Sequence, residues 1–547
     1  MKLNLPVWLV LFTSLAAAQL GSDQSANPEA IYSLAGTVEN SVTGEPIPHA
    51  LVEIVGGSEQ NTFSDAGGRF AFDRLPAGMT MMVAARKPGF LNPLETESNS
   101  SGVSVNSGRP GSQTLVKIGP DAAPVTIYLI PEGVVFGRAQ KPDAEPISYL
   151  TVQLFYSQIS QGRKRWNLMN STQTNEDGEF RMAGLSPGKY YLLLGPRLQT
   201  TWIGTPAQRA REAAYRPVFY PGVSDLASAA PLEVSAGQQV EADLSLSPDP
   251  VFRLSGSVVG LPPADAVEIW QRVQLISGTN DLVALPAEEE PGNEFQAKVP
   301  AGAYVVRANL DTPQGSFRGD VPVNVQSDLA GVTLAVAPLA PLRAELTIEQ
   351  THAPSVGDRR TVAGVNLRFL EEGVRLPSTE INFPVGPGAI SNITGVDPGV
   401  YAVEIIPNMP DDFYVDSAQY GGTDLLRETL TVGQELTAPI HIALRDDGGR
   451  LSGTVVSDGG DVRQATVLLI ADRAPQQIRT VMAGGNGQFQ SPKLAPGDYT
   501  VLAFDSVAGI EYTSPEVINA YSSNATRVSV TTNGESRVSV NLIRTQK

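Results

Sequence analysis

The chain has 547 residues, 41% of them apolar, no cysteine and a formal charge of −18. Its length calls for several domains, and its apolar content excludes wholesale disorder. The missing thiols exclude disulfides, thiol catalysis, cysteine-ligated zinc and a lipid-modified N-terminal cysteine, while an acidic balance without a Lys/Arg cluster opposes nucleic-acid binding.

The N-terminus reads as a signal peptide over residues 1–18. Lys2 is followed by the apolar stretch Leu5 to Leu15, and Ala16-Ala17-Ala18 offers a small-residue cleavage site before Gln19. Residues 19–30 are read as a linker. No later run approaches the roughly 18 apolar residues of a membrane-spanning helix, so the mature chain is expected to be exported, periplasmic or extracellular, without a transmembrane segment. The 52 glycines and 42 prolines, free of a collagen period, point to the many tight turns of an all-β fold.

Five modules follow, at residues 31–131, 132–249, 250–338, 339–446 and 447–547. Each opens on a short alternating strand: Leu34-Ala35-Gly36-Thr37-Val38, Val135-Phe136-Gly137-Arg138-Ala139, Leu254-Ser255-Gly256-Ser257-Val258, the divergent Leu342-Arg343-Ala344-Glu345-Leu346, and Leu451-Ser452-Gly453-Thr454-Val455. A second block is strong in modules 1, 2 and 5. There Gly68, Gly178 and Gly487 stand two residues before Phe70, Phe180 and Phe489, and each Phe stands five before a Leu and eight before a Gly. Module 3 keeps Phe295 and Gly302 but is shorter by one residue, and module 4 keeps Val396-Asp397-Pro398-Gly399 without the Phe. A Gly in that first position suits a φ > 0 hairpin turn, and the Phe then opens a strand with its ring inward. In modules 2 to 5 the next strand starts with Tyr190, Tyr304, Tyr401 or Tyr499, which offer a ring to the core and a hydroxyl to the backbone, as in a tyrosine corner. The turn glycines Gly78, Gly188, Gly302, Gly399 and Gly497 lie 110, 114, 97 and 98 residues apart, the size of a small independent domain.

A closing strand ends each unit: Val125 to Leu129, Val240 to Leu246, Val332 to Val336, Ile440 to Leu444 and Val538 to Leu542. The first four run almost directly into the next opening strand, so little linker remains and the modules are expected to stack end to end. Alternating strands with frequent turns argue for sandwiches rather than a parallel sheet. The best helix candidate is Pro206 to Tyr215, inside an insertion at residues 197–222 that makes module 2 the largest.

The stretches Gly44 to Ile54, Thr62 to Phe70 and Leu75 to Gly78 resemble the carboxypeptidase regulatory-like domain. Modules 2 and 5 share the resemblance clearly, and modules 3 and 4 share it by position and turn spacing. Tyr215 to Gly222 and Tyr414 to Leu426 resemble segments of multi-domain bacterial members. The resemblance implies a prealbumin-like (transthyretin-like) β-sandwich of about seven strands that accompanies catalysis without performing it, with carbohydrate binding as a further family-level implication. The expected fold class is therefore all-β: five tandem prealbumin-like (Ig-like) β-sandwich domains in a rod-like array after the signal peptide.

Chemistry fails on spacing. The histidines are His49, His352 and His441; His49 and Glu53 share a strand face, but that spacing is not a carboxypeptidase zinc motif. Ser186-Pro187-Gly188-Lys189 matches Ser-x-x-Lys only in letters, because a turn replaces the helix that would bring Ser and Lys together. Turn chemistry accounts for Asn175 to Gly178, Asp446 to Gly449 and Asp458 to Asp461 without calcium. No catalytic, cofactor-binding or metal residue is assigned and no cofactor is expected. For a ligand, Trp202, Tyr215, Phe219 and Tyr220 crowd into the module 2 insertion. These rings either present a binding surface or fasten the insertion to its own sandwich. The functional expectation is an exported non-catalytic binding or spacer protein whose partner is an envelope protein or a polysaccharide. Carbohydrate recognition by module 2 is the alternative, and an accessory part of a peptidase or outer-membrane uptake system stands behind it.

Overall fold

The structure is a computed structural model. It describes residues 31–55, 60–76, 78, 80–91, 113–120, 123–195, 215–261, 270–277, 280–290, 292–312, 315–351, 362–370, 380–388, 390–394, 396–409, 411–433, 438–457, 462 and 465–545. The expected signal peptide and linker, His352, Trp202, the Asp-rich turn after Ser457, and the candidate helix up to its last residue lie outside the described residues. Described residues are almost entirely strand and turn, with one six-residue helix at Pro515–Ala520 and two single 3₁₀ turns. None of these helices is long and apolar enough to cross a membrane.

The all-β expectation holds, as tandem sandwiches. Modules 1 to 4 each hold two sheets, and in module 5 the corresponding strands join into one seven-stranded sheet. The opening strand of each module lies between the strand that carries the inward Phe in modules 1, 2, 3 and 5, or Ser391 in module 4, and the closing strand. The opening strands are Ile31–Asn40, Gly133–Gln140, Val251–Val259, Leu342–Glu349 and Arg450–Val456. Each pairs antiparallel with the former and parallel with the latter. The reading of sandwiches rather than a parallel sheet holds, with a parallel ladder where the start and end of each unit meet and one more in module 5, Ala503-Phe504 beside Leu542-Ile543. In module 2 the closing strand breaks at Ala242-Asp243, where Asp243 Oδ1 takes the Arg138 amide at 2.8 Å. The second sheet is built on an antiparallel pair between a central strand and the strand after the Pro-Gly turn, as in Leu51–Val55 with Thr80–Arg86 and Thr151–Ser160 with Gly188–Leu194.

The core lies between the paired sheets, and one contact recurs in it. Along the opening strand, Leu34, Gly36 and Val38 point inward by alternation, with Leu34 and Val38 buried. Gly36 stands opposite Phe70, whose ring lies across it. A Cβ on Gly36 would sit 2.5 Å from Phe70 Cζ and 2.3 Å from the Val125 carbonyl oxygen of the closing strand. Gly137 with Phe180, Gly256 with Phe295 and Gly453 with Phe489 repeat the cross-strand pair and the collision. In module 4 the pair is Ala344 opposite Ser391. A methyl group appears there only where the ring is gone.

Two further expectations are met. Gly68, Gly178 and Gly487 have φ of 73°, 74° and 74°, and Asn293, a residue that tolerates this region, takes the position in module 3 at 62°. All four give their carbonyl to the opening strand. The tyrosine corners are also present. Tyr190 donates to Ser186 O at 2.7 Å, Tyr304 to Pro300 O at 2.9 Å, Tyr401 to Asp397 O at 2.8 Å and Tyr499 to Ala495 O at 2.8 Å. Each ring is buried, so the hydroxyl satisfies a carbonyl that would otherwise face apolar surroundings.

The chain divides into two compact units, residues up to Glu132 and Gly133–Lys547. Modules in the second unit do not meet only end to end, which corrects the rod-like expectation there. Modules 4 and 5 share one continuous buried cluster, from Leu342 to Val540, reinforced by Gln477, whose amide donates to Val403 O and accepts from Ile405 N. The hairpin Thr151–Ser160/Arg163–Gln173 of module 2 reaches past module 3 to both. Gly162 O accepts from Thr513 N at 3.1 Å and Thr513 Oγ1 at 2.7 Å, Arg163 meets Glu404 at 3.3 Å, and Arg165 meets Glu380 at 3.0 Å.

The Gly–Phe contact predicts a coupling. Gly453→Ala should destabilise module 5 by about 1–3 kcal/mol through overpacking. Its cost should fall by about 1 kcal/mol or more when Phe489 is Ser, imitating module 4. A urea double-mutant cycle measures this, and strict additivity would refute the contact.

Candidate functional site

The expected ligand surface lies on the second sheet of module 2. The run Tyr190-Tyr191-Leu192-Leu193-Leu194 is apolar on both faces, the mark of a strand buried on two sides. Tyr190, Leu192 and Leu194 enter the core between the sheets. Leu193 enters a second cluster on the outer face with Phe155, Trp166, Phe219 and Leu226, and Tyr191 packs against it. The Trp166 and Tyr191 rings meet edge-on at 4.9 Å.

Phe219 is 0% exposed and sits on the short strand Val218–Phe219, opposite Leu193. It is therefore core and cannot touch a ligand, which corrects its place among the candidate binding residues. Tyr215 and Tyr220 are half-buried against the inner core of the same module. Burial pushes the Tyr215 hydroxyl up, with Lys141 opposing and Glu145 assisting. The described part of the insertion thus covers an apolar face. Module 5 repeats the device: Leu468, Ile470, Leu502 and Phe504 form an outer cluster, capped by Ile510, Tyr512 and the helical segment ending at Tyr521, whose ring meets Phe504 at 5.0 Å.

A polar groove on the other sheet of module 2 was not anticipated. It is lined by Phe136, Arg138, Gln140, Gln173, Gln239 and Asp243, with other polar neighbours. Arg138, Gln140 and Phe136 project outward because Val135, Gly137 and Ala139 take the inward positions. Arg138 pairs with Glu179 at 3.1 Å across an exposed surface. The outward Phe-x-Arg-x-Gln alternation was the available signal.

The polar residues weighed from sequence are engaged elsewhere. Glu53 pairs with Arg86 at 3.1 Å, not with His49, and His441 pairs with Glu345. Lys189 holds Glu233 at 2.9 Å, and that hydrogen bond raises the ammonium, opposite to what a lysine base needs. Asn175 Oδ1 accepts from Asp177 N and Glu179 N, closing its own turn. Asp447 accepts from Arg445 Nη2 at 2.7 Å and Tyr414 Oη at 3.0 Å, and the Arg445 hydrogen bond holds its carboxyl below the usual range. Among the described residues, no group of three or more metal-ligating side chains converges.

Residues 33–116, within the first module, match the carboxypeptidase regulatory-like domain. No curated protein matches the chain in sequence. Among solved structures, the Bacillus anthracis TIE protein is 11% identical over 96% of this chain and 75% of its own, with a TM-score of 0.17. A minor pilin of Streptococcus agalactiae is 13% identical over 43% and 99%, with a TM-score of 0.20. A full-length pilus protein of Streptococcus pneumoniae is 8% identical over 76% and 98%, with a TM-score of 0.13.

The burial of Phe219 separates packing from binding. Phe219→Ala should cost about 3–5 kcal/mol in urea unfolding, and the half-buried Tyr220→Ala about 1 kcal/mol. A Phe219→Ala protein as stable as wild type would return that ring to the surface.

Proposed function

We propose that this chain is an exported, non-catalytic binding or spacer protein of the cell envelope or extracellular space, built of carboxypeptidase regulatory-like modules. The observation that carries the reading is where its charged and polar side chains are spent. Arg445 and Asp447 fix the strand end at the junction of modules 4 and 5, Gln477 bridges those modules, and Lys189, Glu53 and Asn175 tie strands or turns within one module. A chain that uses its polar groups to hold modules in place presents surfaces rather than a reacting centre. The segment 1–18, read as a signal peptide, supports export.

Affinity capture from native envelope extract with the chain beginning at Gln19 should retain a specific envelope protein or polysaccharide. Peptidase or glycosidase turnover above buffer, abolished by one point substitution, would overturn the reading.

A second reading, carbohydrate recognition by module 2, is favoured by the groove beside Phe136. An outward ring flanked by Gln140, Gln239 and Arg138 is the kind of surface on which a sugar stacks and hydrogen-bonds. Binding on a glycan array should then fall at least about tenfold in Arg138→Ala and Gln239→Ala. Binding retained in both substitutions removes the groove as the site.

A further inference from the structure

Two junctions within the Gly133–Lys547 unit are chemically opposite, beside a third at which Arg318 of module 3 pairs with Asp397 of module 4. Modules 4 and 5 meet through aliphatic and aromatic side chains that belong to one buried cluster. The module 2 hairpin meets module 4 through polar groups on both sides. Arg163, Arg165 and Asn167 alternate along one face of Arg163–Gln173. They approach Asn366 and Arg368 of Ala363–Phe369, Glu380 of the neighbouring strand, and Glu404 of Gly399–Pro407, residues linked by their cross-strand register. Among the described residues, Arg163 Nε, Arg165 Nε, Asn167 Nδ2, Asn366 Oδ1 and Arg368 Nε are buried without a protein hydrogen-bond partner. Burial, and then the like charge of Arg163, lowers the Arg368 pKa; Glu380 opposes and Arg165 adds to the repulsion.

Such an interface holds its partners weakly. Desolvating charges offsets much of the attraction between them, and buried polar atoms left without partners add a further penalty unless water enters. Polar contacts between domains of one chain behave as transient interfaces. Among the described residues the hairpin is also attached by two hydrogen bonds onto Gly162 O and by the Tyr512 ring packed against Gly162, where a Cβ would meet that ring at 2.4 Å.

We propose that the Thr151–Gln173 hairpin is a releasable clasp. Closed, it ties module 2 to modules 4 and 5 through Arg163–Glu404, Arg165–Glu380 and Gly162–Thr513. Released, it leaves modules 2 and 3 to pivot at the module 3–4 junction, where Arg318 pairs with Asp397, while the apolar pair of modules 4 and 5 stays together. This goes beyond the proposed binding or spacer role and does not depend on which ligand that role serves. The clasp makes the position of module 2 against modules 4 and 5 depend on its own two ion pairs, open to change by ionic strength, by load, or by a partner that competes for either charged face.

The absence of native cysteine allows two dyes to be placed on the full-length chain. Lys164→Cys and Glu516→Cys suit them, since both residues are exposed and flank the Gly162–Thr513 contact. Energy transfer should be high in low salt and fall at least about twofold in Arg163→Glu/Arg165→Glu. Adding Glu380→Lys/Glu404→Lys should restore at least about half of that loss. Arg163→Gln/Arg165→Gln serves as the reading if the reversed-charge chain loses its β-sheet circular dichroism. In the otherwise native dye-labelled chain, transfer should also fall between about 0.05 and about 1 M NaCl. Transfer unchanged by the folded arginine variant and by salt overturns the clasp, as does a charge-reversal loss that the compensating pair does not rescue.

Discussion

Every module except the fourth rests on a glycine where three distant pieces of chain converge. The inward position of the opening strand must accept the ring of a Phe from the antiparallel strand on one side and the closing-strand backbone on the other. Gly256 shows the limit, since a single added carbon would lie 2.0 Å from Val332 O and 2.8 Å from the Phe295 ring. A buried ring contributes about 1.5–3 kcal/mol, and it can do so here only because the glycine leaves room. The same contact decides closure. The strand that ends each module returns parallel to the strand that began it, at the residue the ring covers. Module 4 obeys the rule by changing both partners together, to Ala344 and Ser391.

A second constraint acts on the outer faces. Strands such as Ala465–Ala471, buried at every position, cannot leave one side to water. Modules 2 and 5 meet this with the connection that follows the Tyr strand. In module 2 it brings Phe219 and Leu226 onto the sheet, and in module 5 it brings Ile510, Tyr512 and Tyr521. Aromatic density in an insertion is thus evidence of a face to be covered before it is evidence of a ligand. The polar groove of module 2 lies on the opposite sheet, where the outward positions hold Arg and Gln instead.

Much of this was legible in the residues, for physical reasons. Period-two alternation, the φ > 0 turn positions at Gly68, Gly178 and Gly487, and the Tyr that follows Pro-Gly all act within a few residues. Their consequences could be read along the chain. The Gly–Phe pair was half legible, because Ser391 stands eight residues before Gly399, where module 1 has Phe70 before Gly78, yet only the register shows it facing Ala344. The role of Phe219 was not legible, since an aromatic cluster has the same composition on a surface or beneath one. The Pro515–Ala520 helix escaped because six residues with no buried position carry no periodic signal.

The contacts between modules were the least legible of all, and the reason bears on function. Short linkers imply that neighbours in sequence are neighbours in space, but they say nothing of a hairpin long enough to pass its neighbour. The Thr151–Gln173 hairpin does so with ten and eleven residues in its two arms. Its residues read as an ordinary amphipathic pair, with Trp166 turned to its own sheet and Arg163 and Arg165 turned away. Alternation says which face is polar; it cannot say that a polar face meets another protein surface rather than water. The chemical difference between the junctions follows from this. A face that is the polar side of its own sheet keeps charges that water can reclaim. The face joining modules 4 and 5 is apolar, and its side chains belong to one buried cluster that opening would expose to water.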